Sequence, residues 1–226
     1  MGSDMLKILI LILWMSAGVT MAIEDDPHLW LEEVESDSAL TWVAEQNERA
    51  IKQLEADKRY QEILDETLRD LTHTDRLPAI RLLGDHIYDL MQDAHHARGL
   101  WRRTSLKTFI EGKAEWEEVL DIDALDKKEK RSWVFRDVTC LPPDFQRCML
   151  NLSPGGSDSS VWREFDLEKK EFFEGGFALP EAKTWLSWRD ENTLLVSTAM
   201  GGDTETSSGY GRQLRFWRRG TPFEEA

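Results

Sequence analysis

Two eight-residue stretches of this sequence are nearly the same, GLWRRTSL at residues 99–106 and SVWREFDL at residues 160–167. Each contains a Trp-Arg pair, and the tryptophans, Trp101 and Trp162, are 61 residues apart. Each copy follows a strand-like run and a polar, turn-rich gap, HIYDLMQDAHHAR before the first and RCMLNLSPGGSDS before the second. Repetition at this interval indicates a β-structural unit that occurs more than once.

The surrounding sequence, from about residue 76 to the end, has a residue pattern typical of an antiparallel all-β domain. Short runs rich in aromatic and branched residues are broken by Gly, Pro, Asp and Asn roughly every eight to twelve residues, and no helices are expected there. The predicted strands are His86–Met91, Leu100–Leu106, Trp116–Asp121, Trp133–Asp137, Arg147–Leu152, Val161–Leu167, Thr184–Trp188, Thr193–Thr198 and Arg212–Trp217.

A strand followed by a Gly-Gly turn also recurs, as LNLSPGGSD and VSTAMGGDT, and a further Trp-Arg pair, Trp217-Arg218, lies in the third strand of the last unit. Units of roughly 45 to 60 residues with about four short strands favour the blades of a β-propeller. An immunoglobulin-like sandwich stays open, although a sandwich gives no reason to repeat one strand at blade-like intervals. We expect the repeated tryptophans to pack between neighbouring blades, and the adjoining arginines to bind turn carbonyls or carboxylates.

The preceding segment has helical spacing instead. Ser36 or Ser38 could cap the start of a first helix. One mostly apolar face of this helix contains Leu40, Val43, Asn47, Ala50, Ile51 and Leu54. A second, shorter helix is predicted to have Tyr60, Ile63, Leu64, Leu68 and Leu71 on one side. Both amphipathic helices need a surface to pack against.

The first 22 residues resemble a secretory signal peptide. Lys7 precedes an apolar run at residues 8–15, and small residues lead to a Thr-Met-Ala ending at residues 20–22. The strongly apolar core is shorter than the roughly 18 to 20 residues that a membrane-spanning helix needs, which disfavours the alternative of a membrane anchor. We expect cleavage after Ala22, export to the periplasm or the medium, and no membrane association afterwards.

Composition limits the partners of the chain. The 226 residues are 41% hydrophobic, include ten tryptophans and carry a formal net charge of −15. The hydrophobic content is ample for a packed core. The negative charge disfavours binding to nucleic acid and to anionic membrane surfaces, because proteins bind both mainly through Lys and Arg. Export would permit a disulfide between Cys140 and Cys148 if they flank a hairpin, but two buried free thiols are an equally ordinary outcome.

The sequence contains no recognisable motif for a catalytic nucleophile. A nucleophile elbow requires Gly-x-Ser-x-Gly, and this pentapeptide does not occur in the sequence. The nearest cluster, SPGGSDSS at residues 153–160, lacks the second glycine and lies between two predicted strands, so it is interpreted as a hairpin loop. No catalytic residue is therefore predicted.

Metal and cofactor sites are not predicted either. Adjacent His95 and His96 would point to opposite faces of a strand, and neither HExxH nor CxxC accompanies them. Asp121 and Asp123 could in principle do acid-base work, but such pairs arise by chance in an acidic chain and most are solvated. The Gly-Gly pairs lack the lysine and helix of a P-loop or a dinucleotide fingerprint.

Several blocks, taken in order, resemble the prolyl oligopeptidase family of serine peptidases. DPHLWLEEVESDSALTWVAEQN at residues 26–47 is similar to the opening of these enzymes, where a D-P-[YH]-x-W-L-E element precedes a helix ending in W-V-x-x-Q-N. Five further blocks are similar to successive propeller segments of these enzymes, namely GLWRRTSL, WEEVLDIDAL at 116–125, SVWREFDL, GGFALPEAKTWLSW at 175–188 and FWRRGTP at 216–222. The resemblance runs from about Asp26 to Ala226.

The resemblance implies a two-domain enzyme, in which a seven-bladed propeller restricts access to short peptides and an α/β-hydrolase domain holds a Ser-Asp-His triad. In that arrangement the N-terminal helices pack on the hydrolase domain. This sequence covers only the early blades, so none of the family's catalytic residues can be assigned to a position here. About three blades cannot close a ring, and we expect exposed apolar surface at the last blade and on the helices.

These observations predict a mainly β fold, a partial β-propeller of about three blades, with a signal peptide at 1–22, a helical segment at 23–75 and the propeller at 76–226. The predicted role is that of the N-terminal part of a serine endopeptidase, inactive alone, whose propeller gates short peptides. Two alternatives are a non-enzymatic binding module that recruits a strand from a partner, and one half of a split peptidase whose hydrolase domain is supplied in trans.

Overall fold

The computed structural model describes residues 26–73 and 78–226, and the chain divides after Asp65 into two compact units. The predicted signal peptide lies outside the described residues. Among the described residues, no helix combines the length and the apolar character needed to cross a membrane.

The helical segment contains a 3-10 turn at Leu29–Glu32 followed by α1 (Asp37–Glu55) and α2 (Tyr60–Thr72). Ser36 caps α1, because its Oγ accepts a hydrogen bond from the Ala39 backbone N–H at 3.2 Å. Both predicted helices are confirmed. Their apolar side chains are largely exposed, namely Leu40, Val43, Ile51, Leu54, Ile63, Leu64, Leu68 and Leu71.

Twelve strands in the described residues form three antiparallel sheets. The first sheet, in the order β1-β2-β3-β4, contains Arg81–Leu83, His86–Met91, Leu100–Ser105 and Glu117–Asp121. The second, in the order β5-β6-β7-β8 with β9 also paired to β7, contains Trp133–Cys140, Arg147–Pro154, Ser160–Asp166, Glu171–Phe172 and Ala178–Ala182. The third, in the order β10-β11-β12, contains Trp185–Asp190, Thr193–Ser197 and Arg215–Arg218.

Consecutive sheets share apolar cores. The first core joins the first and second sheets and contains Leu83, Tyr88, Trp101, Val119, Val138, Cys140, Cys148, Leu150, Phe165 and Leu167. The second joins the second and third sheets and contains Met149, Trp162, Phe177, Leu179, Leu194, Val196 and Trp217. Sequential antiparallel sheets packed face to face in this way form a partial β-propeller rather than a sandwich, as the repeated strand predicted.

The expectation that the β-region lacks helices was wrong at two places. Helix α3 (Leu106–Ile110) follows β3, and α4 (Ile122–Glu129) follows β4. Ser105 Oγ and Asp121 Oδ1 cap these helices by accepting backbone N–H bonds at 3.1 and 3.0 Å. A capping side chain can therefore start a short helix directly at the end of a strand, even where the surrounding sequence has the pattern of β-strands.

The two cysteines, whose state the sequence left open, form a disulfide. Cys140 ends β5 and Cys148 lies near the start of β6, and the two are opposite each other in the strand register. The bond therefore closes the hairpin between these strands from within the first core.

Candidate functional site at the sheet junctions

The repeated tryptophans occupy equivalent places. Trp101 lies in β3 and Trp162 in β7, each in the third strand of its sheet, and both are buried. The Trp101 ring contacts Phe135 and Phe165 of the second sheet, with centroid distances of 5.2 and 6.1 Å. Trp162 instead belongs to the core shared with the third sheet. Each tryptophan thus packs toward the next sheet along the chain, which confirms the predicted packing role.

The arginines that follow these tryptophans pair with carboxylates. Arg102 Nη2 lies 2.9 Å from Asp89 Oδ2, and its guanidinium stacks 4.3 Å from the Trp116 ring centroid. Arg163 Nη1 lies 2.8 Å from Glu129 Oε1. The prediction that these arginines bind neighbouring carboxylates is confirmed for both.

The third Trp-Arg pair is displaced by one residue relative to the other two. Trp217 lies in the third strand of its sheet, as predicted, but its side chain faces the second sheet, with its ring 4.8 Å from Phe177. The opposite face of β12 therefore presents Phe216, which is 52% exposed. Phe216 is thus the side chain that takes the outward position held by tryptophan in the first two sheets.

A pocket of about 590 Å³ lies at the junction of the second and third sheets, and we call it the junction pocket. It is lined by Arg136, Asp137, Thr139, Asn151, Asp158, Ser160, Trp162, Lys183, Thr184, Trp185, Leu186 and Tyr210. Asn151 and Trp162 face each other across β6 and β7 as a register pair. Two of their buried atoms, Asn151 Oδ1 and Trp162 Nε1, have no hydrogen-bond partner among the described residues.

The charged groups of the junction pocket are largely paired with one another or with neighbours. Lys183 Nζ lies 3.0 Å from Asp158 Oδ2, donates to the Ser208 carbonyl at 2.9 Å and sits 4.8 Å from the Tyr210 ring centroid. Asp137 is bound by Arg81 at 2.6 Å. With two basic and two acidic lining residues, the formal charge of the pocket is balanced.

A smaller pocket occupies the corresponding place at the junction of the first and second sheets. It measures about 210 Å³, and Leu90 pairs with Trp101 there in the way that Asn151 pairs with Trp162. The Phe135 ring packs against Trp101, with a centroid distance of 5.2 Å. The sequence repeat therefore places a pocket at both junctions, but only the second one has a polar residue opposite the tryptophan.

Ion pairs also bridge both junctions. Glu164 in β7 is fully buried, and its two carboxylate oxygens accept hydrogen bonds from Arg219 at 2.7 and 2.9 Å and from the Phe177 backbone N–H at 2.8 Å. At the first junction, Glu117 is bound by Arg103 at 2.7 Å and by Lys170 at 2.5 Å. These two cations lower the pKa of Glu117 to about 2, Arg103 having the larger effect through its hydrogen bond.

The serine-rich segment at residues 153–160 is a hairpin loop, as predicted, since β6 ends at Pro154 and β7 begins at Ser160. Ser153 is buried, and its hydroxyl donates to the carbonyls of Ser157 and Ser159 at 2.7 and 3.0 Å. This serine therefore stabilises the loop conformation.

The histidine and aspartate pairs have local structural roles. His95 and His96 lie in the loop between β2 and β3, not in a strand as assumed, and both of their backbone N–H groups donate to Asp93 Oδ1. Asp121 caps α4, while Asp123 Oδ2 accepts from the backbone of Arg98 and Gly99, so neither is simply solvated. No cluster of three or more metal-ligating side chains occurs in residues 26–73 and 78–226.

The fold and its junctions define a class of protein, the β-propeller domains. Residues 20–226 match the family described as prolyl oligopeptidase, N-terminal beta-propeller domain. The chain belongs to the prolyl oligopeptidase family, of which it contains the N-terminal propeller portion.

Known relatives share most of this chain. It is 40% identical to an uncharacterized peptidase of Sinorhizobium fredii over 202 residues, which cover 89% of this chain and 28% of that protein. It is 31% identical to an uncharacterized peptidase of Rickettsia prowazekii, covering 87% and 28%. A post-proline cleaving enzyme from Rickettsia typhi superimposes with a TM-score of 0.79 at 31% identity, covering 87% of this chain and 30% of that one. The chain thus spans less than a third of the length of these relatives.

Proposed function

We propose that this chain forms the early blades of the propeller in a serine-type endopeptidase of the prolyl oligopeptidase family. In the complete enzyme the propeller would gate the access of short peptides, and a Ser-Asp-His triad outside these 226 residues would hydrolyse them by acyl transfer. The chain by itself is proposed to be catalytically inactive.

The observation that carries this proposal is the match of residues 20–226 to the family's propeller domain. The exposed outward face of the third sheet is consistent with this proposal. This face presents Trp185, 73% exposed, and Phe216, 52% exposed, and Leu214 just before β12 is also exposed. Large apolar side chains exposed on one face of a sheet often mark an interface, and in a propeller the interface of one blade is the next blade.

A fluorophosphonate probe tests the assignment of the nucleophile. The purified 226-residue chain should neither take up the label nor cleave short peptides. A chain that comprises the remaining propeller and the hydrolase domain of a relative should label, and adding it to this chain should give activity on short peptides but not on folded proteins. Stoichiometric labelling of the 226-residue chain alone would overturn the proposal.

The alternative of a non-enzymatic binding module is favoured by the same exposed face of the third sheet. Such a module would form a stable oligomer of defined size in size-exclusion chromatography with light scattering. It would also bind no hydrolase domain in a pull-down with that domain. Binding of the hydrolase domain, with recovered peptidase activity, would exclude this alternative.

We also propose export of the chain, on the basis of its N-terminal sequence. Expression of the full chain with its own N-terminus in a Gram-negative host should place a shortened product in the periplasm. N-terminal sequencing of that product should begin at Ile23. A cytoplasmic product that retains Met1 would contradict this proposal.

A further inference from the structure

The third strand of each sheet has an aromatic residue and, two positions later, a charged residue on the same face, because side chains alternate along a strand. These pairs are Trp101 and Arg103 in β3, Trp162 and Glu164 in β7, and Phe216 and Arg218 in β12. In the strand register the aromatic members pair with the second strand of their own sheet, at Leu90, Asn151 and Leu195 respectively. The charged residues therefore occupy equivalent places, and we call them the bridging residues.

In the first two sheets, the bridging residue binds the next sheet along the chain. Arg103 Nη1 donates to the Leu167 carbonyl at 3.2 Å, and Leu167 directly follows β7. Glu164 accepts from Arg219 Nη1 and Nη2 at 2.7 and 2.9 Å, and Arg219 directly follows β12. In both cases the partner is the residue that directly follows the third strand of the next sheet. This recurrence predicts where a partner of the third bridging residue would lie.

Arg218, the bridging residue of the third sheet, has no such partner. It is exposed, and its guanidinium forms no ion pair or hydrogen bond with any residue that the structure describes. On the same face, Asp190 lies two strands away in the register. Asp190 accepts from the Asn192 backbone N–H at 2.9 Å and lies 4.0 Å from Arg189 Nε. The cation of Arg218 is therefore left without a carboxylate beside it.

The charge of Arg218 restricts what this face can bind. Arg103 can bind a neutral carbonyl across its junction because Glu117, in its own sheet, compensates its charge at 2.7 Å. Arg218 lacks a carboxylate of that kind, so covering it with an apolar surface would bury an unpaired charge. The guanidinium fork can bind a carboxylate through two parallel hydrogen bonds. A partner that covers the exposed rings of Trp185 and Phe216 is therefore expected to present a carboxylate to Arg218.

We propose that the outward face of the third sheet binds a further antiparallel sheet, and that Arg218 binds a carboxylate of the residue directly after the third strand of that sheet. Apolar side chains of the partner cover Trp185 and Phe216. This inference rests on the proposed function, in which the further sheet is the next blade of the propeller. It deepens that function by assigning the side chain that joins the two blades.

The test is a binding titration of the full 226-residue chain against the Sinorhizobium fredii relative without its matched 202 residues. Isothermal titration calorimetry measures the dissociation constant. We expect Arg218→Met to raise this constant at least about tenfold, because a charge-assisted pair of hydrogen bonds is lost. Arg218→Gln should not restore the affinity, since a carboxylate needs the charge as well as a donor. Lys127→Met, at an exposed position in α4, is the matched control and should leave the constant unchanged.

A full-length chimera gives an independent check, which also applies where the shortened relative does not fold. In the chimera the 226 residues replace the matched residues of the relative, and urea unfolding followed by circular dichroism is compared with that of the chain alone. Arg218→Met should lower the unfolding midpoint of the chimera and leave that of the chain alone nearly unchanged. Equal shifts in both would show that Arg218 gains no partner in the longer protein, and would overturn the proposal.

The outcomes separate this inference from the proposed function. If the chain and the shortened relative associate and cleave short peptides, but Arg218→Met binds as tightly as the natural chain, the inference is overturned and the proposed function stands. Association without peptidase activity, weakened by Arg218→Met, would support the inference and contradict the proposed function. Full affinity with Arg218→Gln would indicate a carbonyl partner and overturn the inference. An oligomer of the chain alone that Arg218→Met dissociates would overturn it too, because a second copy would then cover the face.

Discussion

The two junctions of this molecule are built on the same strand register but have different contents. At the first, Leu90 lies opposite Trp101, Phe135 packs against the tryptophan ring, and the pocket beside it measures about 210 Å³, while a separate pocket of about 490 Å³ lies farther along the same two sheets. At the second, Asn151 lies opposite Trp162 and about 590 Å³ remains. The repeat therefore fixes where a tryptophan packs between blades, while the residue opposite it, Leu90 or Asn151, sets whether the tryptophan has an apolar or a polar neighbour on the adjacent strand.

The ion pairs that bridge the two junctions also differ, in how far their carboxylates are exposed to solvent. Glu117 at the first junction is 49% exposed, so solvent screens its pairing with Arg103 and Lys170. Glu164 at the second is fully buried, and its charge is compensated mainly by Arg219 at 2.7 Å and more distantly by Arg147 at 3.8 Å. A fully desolvated carboxylate is costly to leave unpaired, so the second junction is expected to be the more sensitive to loss of its cation.

The largest effect is predicted for Arg219→Met, which keeps the length of the side chain and removes the charge. Glu164 would then be a buried carboxylate that has lost both hydrogen bonds from Arg219 and keeps only Arg147, at 3.8 Å, as a cation. We expect the free energy of unfolding to fall by about 2 to 4 kcal/mol. Urea denaturation followed by circular dichroism measures this loss. Arg218→Met is the matched control, because Arg218 is the exposed neighbour and should change stability by less than about 0.5 kcal/mol. Similar losses for the two variants would show that the buried pair does not hold the second junction together.

The tryptophans provide a direct comparison of the junctions. Trp101→Phe removes part of a side chain packed in an apolar core and should cost about 1 to 2 kcal/mol. Trp162→Phe removes similar volume but also removes an N–H that has no partner among the described residues, so its net cost should stay within about 1 kcal/mol. Paired urea-unfolding curves measure the difference. An equal or larger loss for Trp162→Phe would mean that its N–H is paired in solution.

Much of this architecture could be predicted from local sequence. Strand β2 was predicted with its observed bounds, His86–Met91, because an apolar run is closed on both sides by turn residues. The direction in which the Trp217 side chain points could not be predicted. It depends on the pairing of Trp217 in β12 with Leu194 in β11, and this pairing places Trp217 on the opposite face from the one that Trp101 and Trp162 occupy in their sheets. Helix α4 was missed because Asp121, which caps it, also ends a strand.

The junction pocket could not be predicted for a different reason. Asn151 is one polar residue within the predicted strand Arg147–Leu152, and alternation alone would place it toward solvent. Its actual environment depends on the third sheet, which begins more than thirty residues later and covers the same face of the second sheet. The burial of the Asn151 side-chain oxygen can be recognised only when the neighbouring blade is in place.

A smaller effect is predicted for Asn151→Leu. The substitution removes a buried acceptor without a partner in the described residues and adds apolar contact with Trp162, which reproduces the Leu90 arrangement of the first junction. We expect a stability gain of about 1 kcal/mol in urea denaturation. The reverse change, Leu90→Asn, should destabilise the first junction by at least as much. A loss of stability with Asn151→Leu would indicate that Asn151 has a partner in solution.

The smallest effect is predicted for the exposed pair at the first junction, and it depends on pH. Arg103 and, to a lesser extent, Lys170 lower the pKa of Glu117 from 4.5 to about 2 in the folded chain. Because the folded-state pKa is the lower one, the stabilisation is complete above about pH 4.5 and is lost as the pH falls toward 2. Glu117 is 49% exposed, so this contribution should be at most about 1 kcal/mol. Glu117→Gln should therefore be less stable than the natural chain near pH 7 and equal to it near pH 2, whereas Glu118→Gln should show no such convergence. A stability difference that persists unchanged to pH 2 would mean that packing, rather than the charge of Glu117, joins the first two sheets at this point.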